Sequence, residues 1–413
     1  MYKKIFYFIF FISLYRIDAY YFYKPLHDQI LLFNEIPDKC ECSLLVTGGY
    51  KKAQTYNING HHVASPFAIW SNSENSLSMF EGYGPTSEET QLLNSLKSYD
   101  NGVRGHIILN GDYKIDAATT LMSQVRVGEN MSVLFIIPWY HTSLKNITLI
   151  DLTENKNIQD LKVRTTITDN INELLKTYGN LEIHEWTHHG IGDIGCYIKW
   201  EYDFVQHKPL LKNVSLQLRC GVELPTGQHI DSNKILAHSF GNYRAVGLPF
   251  GGQLKLSLGD YCTCGIDAEL THIFNKTVNH RIKTAQNQTE FFLLQRSKAH
   301  FDFGMNQYVT LFGRLLYEPR GLQLTTAYEY FKHGDDQIGL HENAFNQAVA
   351  NTAYYLQEKT AHHILVDFTC NVEKLFQKQW PVQPTVNIFI KVPFNGSNIH
   401  LTPLVGMGAR VMF

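Results

Sequence analysis

The chain has 413 residues and a net charge of -2, from 36 Lys and Arg against 38 Asp and Glu. With no basic excess and no Lys/Arg run, its charge does not select nucleic acid as a partner. Charged residues make up 18%, below the roughly 25% usual in soluble domains; 23 Tyr, 25 Phe and a mean hydropathy of -0.20 set aromatics among uncharged polar residues, which excludes a bundle of apolar helices.

The N-terminus carries the one long apolar run. Lys3 and Lys4 precede Ile5 to Leu14, and Ala19 offers a cleavage position. A run this short falls below the roughly 20 residues of a spanning helix and has the form of a secretory leader. The expected organisation is a signal peptide over 1–19, a periplasmic segment over 20–40, and one large domain over 41–413. A first strand is expected over 41–56, from Leu44, Val46 and Tyr50. The loop over 57–103 is long for a compact domain and needs a reason. It is expected to fold inward as a plug or to cap the mouth.

Strict alternation follows. In 104–121, Ile107, Leu109, Tyr113, Ile115 and Ala117 alternate with His106, Asn110, Asp112, Lys114 and Asp116. A second strand over 131–150 leads to a loop, 151–189, with a short helix expected from Thr168 to Tyr178. In 190–205, Cys196, Ile198, Trp200, Tyr202 and Phe204 alternate with Tyr197, Lys199, Glu201 and Asp203. In 213–225, Val214, Leu216, Leu218, Cys220, Val222 and Leu224 alternate with Ser215, Gln217, Arg219, Gly221 and Glu223. Further strands are expected over 245–258, 261–274, 300–317, 321–334, 360–370, 383–394 and 400–413. Period-2 patterning puts each set on its own face of a strand.

The links alternate in length. Short turns such as Gly128-Glu129-Asn130, Gly259-Asp260 and Glu318-Pro319-Arg320 separate long loops at 57–103, 151–189, 226–244, 275–299 and 335–359. Short turns at one end and long loops at the other, with an even strand count, define an all-β, closed antiparallel transmembrane barrel with long extracellular loops. Its size is about twelve strands, within a range of about ten to fourteen. One link, 371–382, is long for a turn at the short-turn end.

The last strand fits this reading. Leu401, Pro403, Val405, Met407, Ala409, Val411 and Phe413 share one face; His400, Thr402, Gly406, Gly408, Arg410 and Met412 share the other. Here the chain resembles the bacterial outer-membrane barrel superfamily. That resemblance implies an outer-membrane location, contact with its lipid, and a terminal aromatic, Phe413, read by the barrel-assembly machinery. Gly190-Ile191-Gly192-Asp193 and Leu224-Pro225-Thr226-Gly227 are similar to the transporter-type barrels of the meta-cleavage phenol-degradation pathway, relatives of the long-chain fatty acid transporters. This implies passage of small solutes, hydrophobic ones among them.

Seven cysteines fall mostly in the apolar register, which reads as small lipid-facing side chains rather than disulfides or a zinc site. The adjacent pairs His61-His62, His188-His189 and His362-His363 point to opposite faces of any strand and make poor chelates. No metal or other cofactor is implied. The polar face supplies the candidate lumen lining: Asp112, Lys114, Asp116, Lys199, Glu201, Asp203, Arg219, Glu223, Lys255, Asp267, Glu269, Glu329, Asp367, Lys391 and Arg410, with Asp302 read on the same face. No nucleophile motif accompanies them, so no catalytic residue is assigned. The leading function is a channel or transporter for small solutes. A structural or adhesive surface protein, working through its loops, and a barrel hydrolase stay open.

Overall fold

The computed structural model describes residues 40–228, 231–341, 344–377 and 380–413. The expected leader and the segment up to residue 39 lie outside the described residues.

Twelve strands close on themselves. In chain order they are β1 (Cys40–Gly49), β2 (His106–Gly128), β3 (Met131–Asp151), β4 (Ile194–Val205), β5 (Leu211–Leu224), β6 (Gly247–Leu258), β7 (Cys262–Ile273), β8 (Asn306–Tyr317), β9 (Leu322–His333), β10 (Lys359–Asn371), β11 (Gln383–Ser397) and β12 (Leu404–Met412). Each pairs antiparallel with its chain neighbour. The seam closes where β1 pairs with both β2 and β12, Leu44 facing Leu121 on one side and Ala409 on the other. Closure leaves no open edge of backbone donors and acceptors.

The alternation decides the two faces. On β4, Ile198 is 47% exposed while its neighbours Tyr197 and Lys199 are buried. Leu218, Leu254, Ile266, Leu311, Leu324, Val366, Ile388 and Met407 repeat the exposed apolar position around the wall. A soluble monomer does not expose so large an apolar band; the wall is built to face lipid. Exposed and half-buried rings mark both edges of the band. Trp200 stacks on Tyr202, which meets Phe204 edge-on, along β4 towards the turn end, where Tyr261, Tyr317 and Phe413 stand exposed. Trp139, His141 and His189 gather at the loop end, as do Tyr328, His362 and Phe394.

Several expected strands end early because the chain leaves the wall. The 300–317 segment divides. Arg296–Asp302 joins a small sheet with Lys276–Arg281 and Gln337–Leu340, and β8 starts only at Asn306. Gly304 marks the break, where a Cβ would stand 2.2 Å from the Gly334 carbonyl oxygen. The first and last strands divide too. Gln54–Tyr56 pairs with Ile399–Leu401 above the wall. The 190–205 segment kinks at Gly192-Asp193, its upper part Trp186–Ile191 pairing with β3 alone. The 151–189 loop holds two helices, Ile158–Thr166 and Ile171–Gly179, where one was expected.

Two kinds of interior result. The long loops gather into an apolar core that includes Phe67, Met79, Phe80, Leu96, Leu175, Leu236, Phe292 and Leu356, packed on the inward side of β2, β3 and β7 at Ile107, Leu144 and Ile273. Inside the wall a separate layer joins Leu45, Met122, Leu134, Ile136, Tyr197, Phe312, Ala327, Leu365 and Phe389.

Candidate functional site: the barrel interior

Arg219 is fully enclosed. It sits on β5 at inward parity, with no exposed side-chain surface. Its Nη1 and Nη2 donate to both oxygens of Asp267 at 2.6 and 2.7 Å, and its Nε donates to Glu269 at 2.6 Å. Asp267 and Glu269 lie two apart on β7 and therefore share a face. Gly251 on β6, between the two strands, makes the approach possible; a Cβ there would stand 3.1 Å from Arg219 Nη2. The bidentate fork uses the planar geometry of guanidinium.

Other inward charges are paired across strands. Lys391 Nζ lies 2.5 Å from Glu329 and is buried. Lys255 donates to Glu201 at 3.0 Å. Lys199 donates to Gln124 at 3.5 Å, and Gln124 donates to Ser132. Arg410 approaches Glu41 at 3.8 Å. Asp367 accepts from Asn387 and Thr369, each at 2.6 Å. Glu223 accepts from Asn242, a residue of the 225–246 loop. Asp203 keeps inward parity but stands exposed at the turn-end rim, held by Asn213 and Ser215. Between these groups lies the apolar layer described above, with the Arg314 guanidinium 4.9 Å from the Phe312 ring centre.

Two candidates, Asp112 and Lys114, are corrected. Asp112 and Lys114 take the parity opposite to buried Tyr113 and Ile115, so their side chains lie on the outer face. Asp112 binds Lys52 at 2.7 Å and Asn146 at 2.9 Å. Asp116 stands at the register shift between Ile115 and Ala117, 3.8 Å from Lys114. The physical reason is local. At the loop end the interior is filled by the apolar core, so the apolar set turns inward there and the polar set outward. Asp302 is corrected as well; it lies in the small sheet outside the wall and is exposed.

Sequence reasoning missed Glu41, Gln124, Gln217, Gln253, Tyr197 and Arg314, all inward and enclosed to differing degrees. Their parity was legible.

The Gly190–Asp193 and Leu224–Gly227 motifs meet. Thr226 Oγ1 accepts from the Ile194 N–H and donates to the Gly192 carbonyl. The Asp193 carboxylate accepts from the N–H groups of Gly227 and Asn242. A carboxylate at the kink thus ties the 225–246 loop into the barrel, where Phe240 packs between Tyr140 and His188.

The 57–103 segment is clasped from two sides. Trp70 donates through Nε1 to Asn398 at 2.6 Å and stacks on Phe291, 4.7 Å between ring centres. Asn398 also donates to the Tyr354 carbonyl. Thr284 and Gln288 donate to the carbonyls of Glu81 and Met79. Glu74 lies at this contact. Burial, then the neighbouring charge of Glu290, pushes its carboxyl up to about 7.

Among the described residues, no group of three or more His, Cys, Asp or Glu is arranged to hold a metal ion. The seven thiols are free; Cys42 and Cys220 are exposed and Cys370 is buried.

No family profile matches the sequence, and no curated protein matches it. Among solved structures, an outer membrane channel from Pseudomonas putida F1 aligns with a TM-score of 0.48 at 10% identity, covering 92% of this chain and 96% of the other. The NanC porin aligns at 0.28 and 8% identity over 74% of this chain and 98% of its own. The CymD monoaromatic hydrocarbon channel aligns at 0.27 and 8% identity over 96% and 95%.

Proposed function

We propose that the chain is a channel of the bacterial outer membrane for small solutes, closed at rest by its own interior side chains and by residues 57–103 acting as a plug. The observation that carries this reading is the enclosure of Arg219, Lys199 and Lys391 inside a wall whose outside is apolar. Barrels of about eight strands fill with side chains and those of sixteen or more hold water. At twelve, the inward side chains decide whether a path exists. The apolar layer resists hydration, as hydrophobic constrictions in channels do. The ion pairs beside it narrow the bore, and an apolar solute crosses such a layer more readily than an ion does.

Carboxylates outnumber bases among the inward groups: Glu41, Glu201, Asp203, Glu223, Asp267, Glu269, Glu329 and Asp367 against Lys199, Arg219, Lys255, Arg314, Lys391 and Arg410. Any path opened through them favours cations. The charged groups largely engage one another or neighbouring polar side chains, the arrangement of a braced interior rather than of a general acid and base.

Planar-bilayer recording tests the reading. The intact protein is expected to give brief, small openings, and removal of 57–103 a steady cation-preferring current. Reversal potentials showing anion preference would sink the charge argument. A large steady current from the intact protein would sink the plug.

A further inference from the structure

The link between β10 and β11 is longer than the connection requires. Asn371 and Thr385 are already register partners, and the other turns at this end are shorter. The extra residues form a helical turn, Val372–Phe376. Asn371 caps it, accepting from the Lys374 N–H, and Gln377 ends it in the left-handed region at φ 54°. Lys374 Nζ reaches Glu318 of the adjacent turn at 2.5 Å, which fixes the helix against the rim. Val372, Leu375 and Phe376 fall at i, i+3 and i+4, so they form one stripe.

Where that stripe lies is given by Cys370. It shares the outward parity of Phe368, which is 49% exposed, yet it is only 8% exposed. That cover on the outer face adjoins the helical turn, which packs against β10, β11 and the Glu318–Arg320 turn at the rim. Phe376 is nevertheless 68% exposed, and Leu375 and Trp380 are exposed as well. These side chains stand at the rim that carries Tyr261, Tyr317 and Phe413, continuous with the lipid-facing band. A short amphipathic segment with aromatic side chains, held at the edge of an apolar wall, matches the headgroup boundary of a bilayer.

We infer that Val372–Phe376 and Trp380 form an interfacial foot, whose partner is the phospholipid headgroup layer on the turn side of the membrane. The foot adds a lateral anchor at one point of the rim. It explains the one link at this end that the barrel pattern leaves too long. The lipid is favoured over a protein partner because the foot prolongs a surface that already faces lipid.

Fluorine NMR on the whole chain tests this, with 5-fluorotryptophan at Trp70, Trp139, Trp186, Trp200 and Trp380 in phospholipid nanodiscs. Trp380→Phe assigns its resonance and alters only an exposed side chain. A headgroup spin label is expected to broaden Trp380 and Trp200, while a soluble paramagnetic agent broadens Trp380 less than the label does. Buried Trp186 serves as the unaffected reference. If the soluble agent broadens Trp380 and the lipid label leaves it sharp, the foot faces water or a protein and the inference falls. If Trp200 also escapes the lipid label, the membrane-facing wall falls with it. Leu375→Ser with Phe376→Ser is expected to lose the lipid broadening at Trp380 while Trp200 keeps it. Retention at Trp380 overturns the role of the helix. Should that double variant fail to assemble, the unmodified chain still decides.

Discussion

The wall and the cap, the loop-built apolar core that includes residues of 57–103, solve opposite problems with the same residue types. In the wall, apolar side chains face out and charges face in, so Arg219 is buried among carboxylates. In the cap, the order is that of a soluble domain, with Phe80, Leu96 and Leu175 inside and Lys97, Lys156 and Lys176 outside. The difference teaches where stability resides. The wall is held by a closed ladder and by the mutual satisfaction of buried charges. The cap is held by apolar burial and a few specific clasps.

The comparison breaks most severely at Arg219. Arg219→Met leaves Asp267 and Glu269 buried without their cation, and a loss of about 3–5 kcal/mol is expected. The midpoint of urea unfolding, read from the heat-modifiable band, measures it. Adding Asp267→Asn and Glu269→Gln is expected to recover most of the loss. If the single variant unfolds at the wild-type midpoint, the buried pair does not brace the wall.

Next in size is the pH response of the cap. Glu74 is raised from 4.5 to about 7 by burial and by Glu290, so the docked cap binds its proton more tightly than the undocked one. That contribution is present below pH 4.5, falls as pH rises towards 7, and is worth about 3 kcal/mol across the window. His280 runs the other way. Burial, then the Arg281 charge, lowers it to about 3, so it weakens the cap as pH falls below its ordinary range. The two slopes oppose each other between about pH 4.5 and 6.5. Glu74→Gln removes the falling limb. With base-catalysed intrinsic exchange corrected for, protection in 57–103 should then fall less from pH 5 to pH 8 than in the parent chain; identical profiles would refute a buried carboxyl at the clasp.

A smaller effect is expected at Asn398, buried and at φ 54°. Asn398→Ala removes the acceptor for Trp70 and the donor to Tyr354, with a cost of about 1–3 kcal/mol to the cap. Protease cleavage within 57–103 should accelerate while the urea midpoint of the wall stays put. A shift of the wall midpoint by the same amount would show that cap and wall unfold as one unit.

The smallest effect separates outer from inner charges. The Lys52–Asp112 pair is largely solvated, so Asp112→Asn should cost less than about 1 kcal/mol. It should also leave the reversal potential of the 57–103 deletion unchanged, whereas Glu201→Gln should reduce its cation preference. A selectivity change from Asp112→Asn would return that residue to the bore.

Much of the wall was legible because its physics is periodic. Along β4, β5, β7 and β10, each residue's parity states its face, and the turns state where the chain reverses. Phase errors arose where that rule changes within one strand. On β2 the stretch around Asp112 and Lys114 keeps its alternation, but the apolar core of the cap reverses which set is inside. Pairwise charge partners were also beyond the pattern. Asp267 and Glu269 were visible as inward acids, but their convergence on Arg219 depends on strand order and on the space left at Gly251.

By itself, the sequence determined an even, closed barrel, its two ends and the faces of most strands, because closure and lipid exposure impose a repeat of two. Only the tertiary structure decided the cap. Its core draws Phe67, Leu175, Leu236, Phe292 and Leu356 from loops far apart in the chain. Burial there depends on which loops meet, and no local period records that meeting.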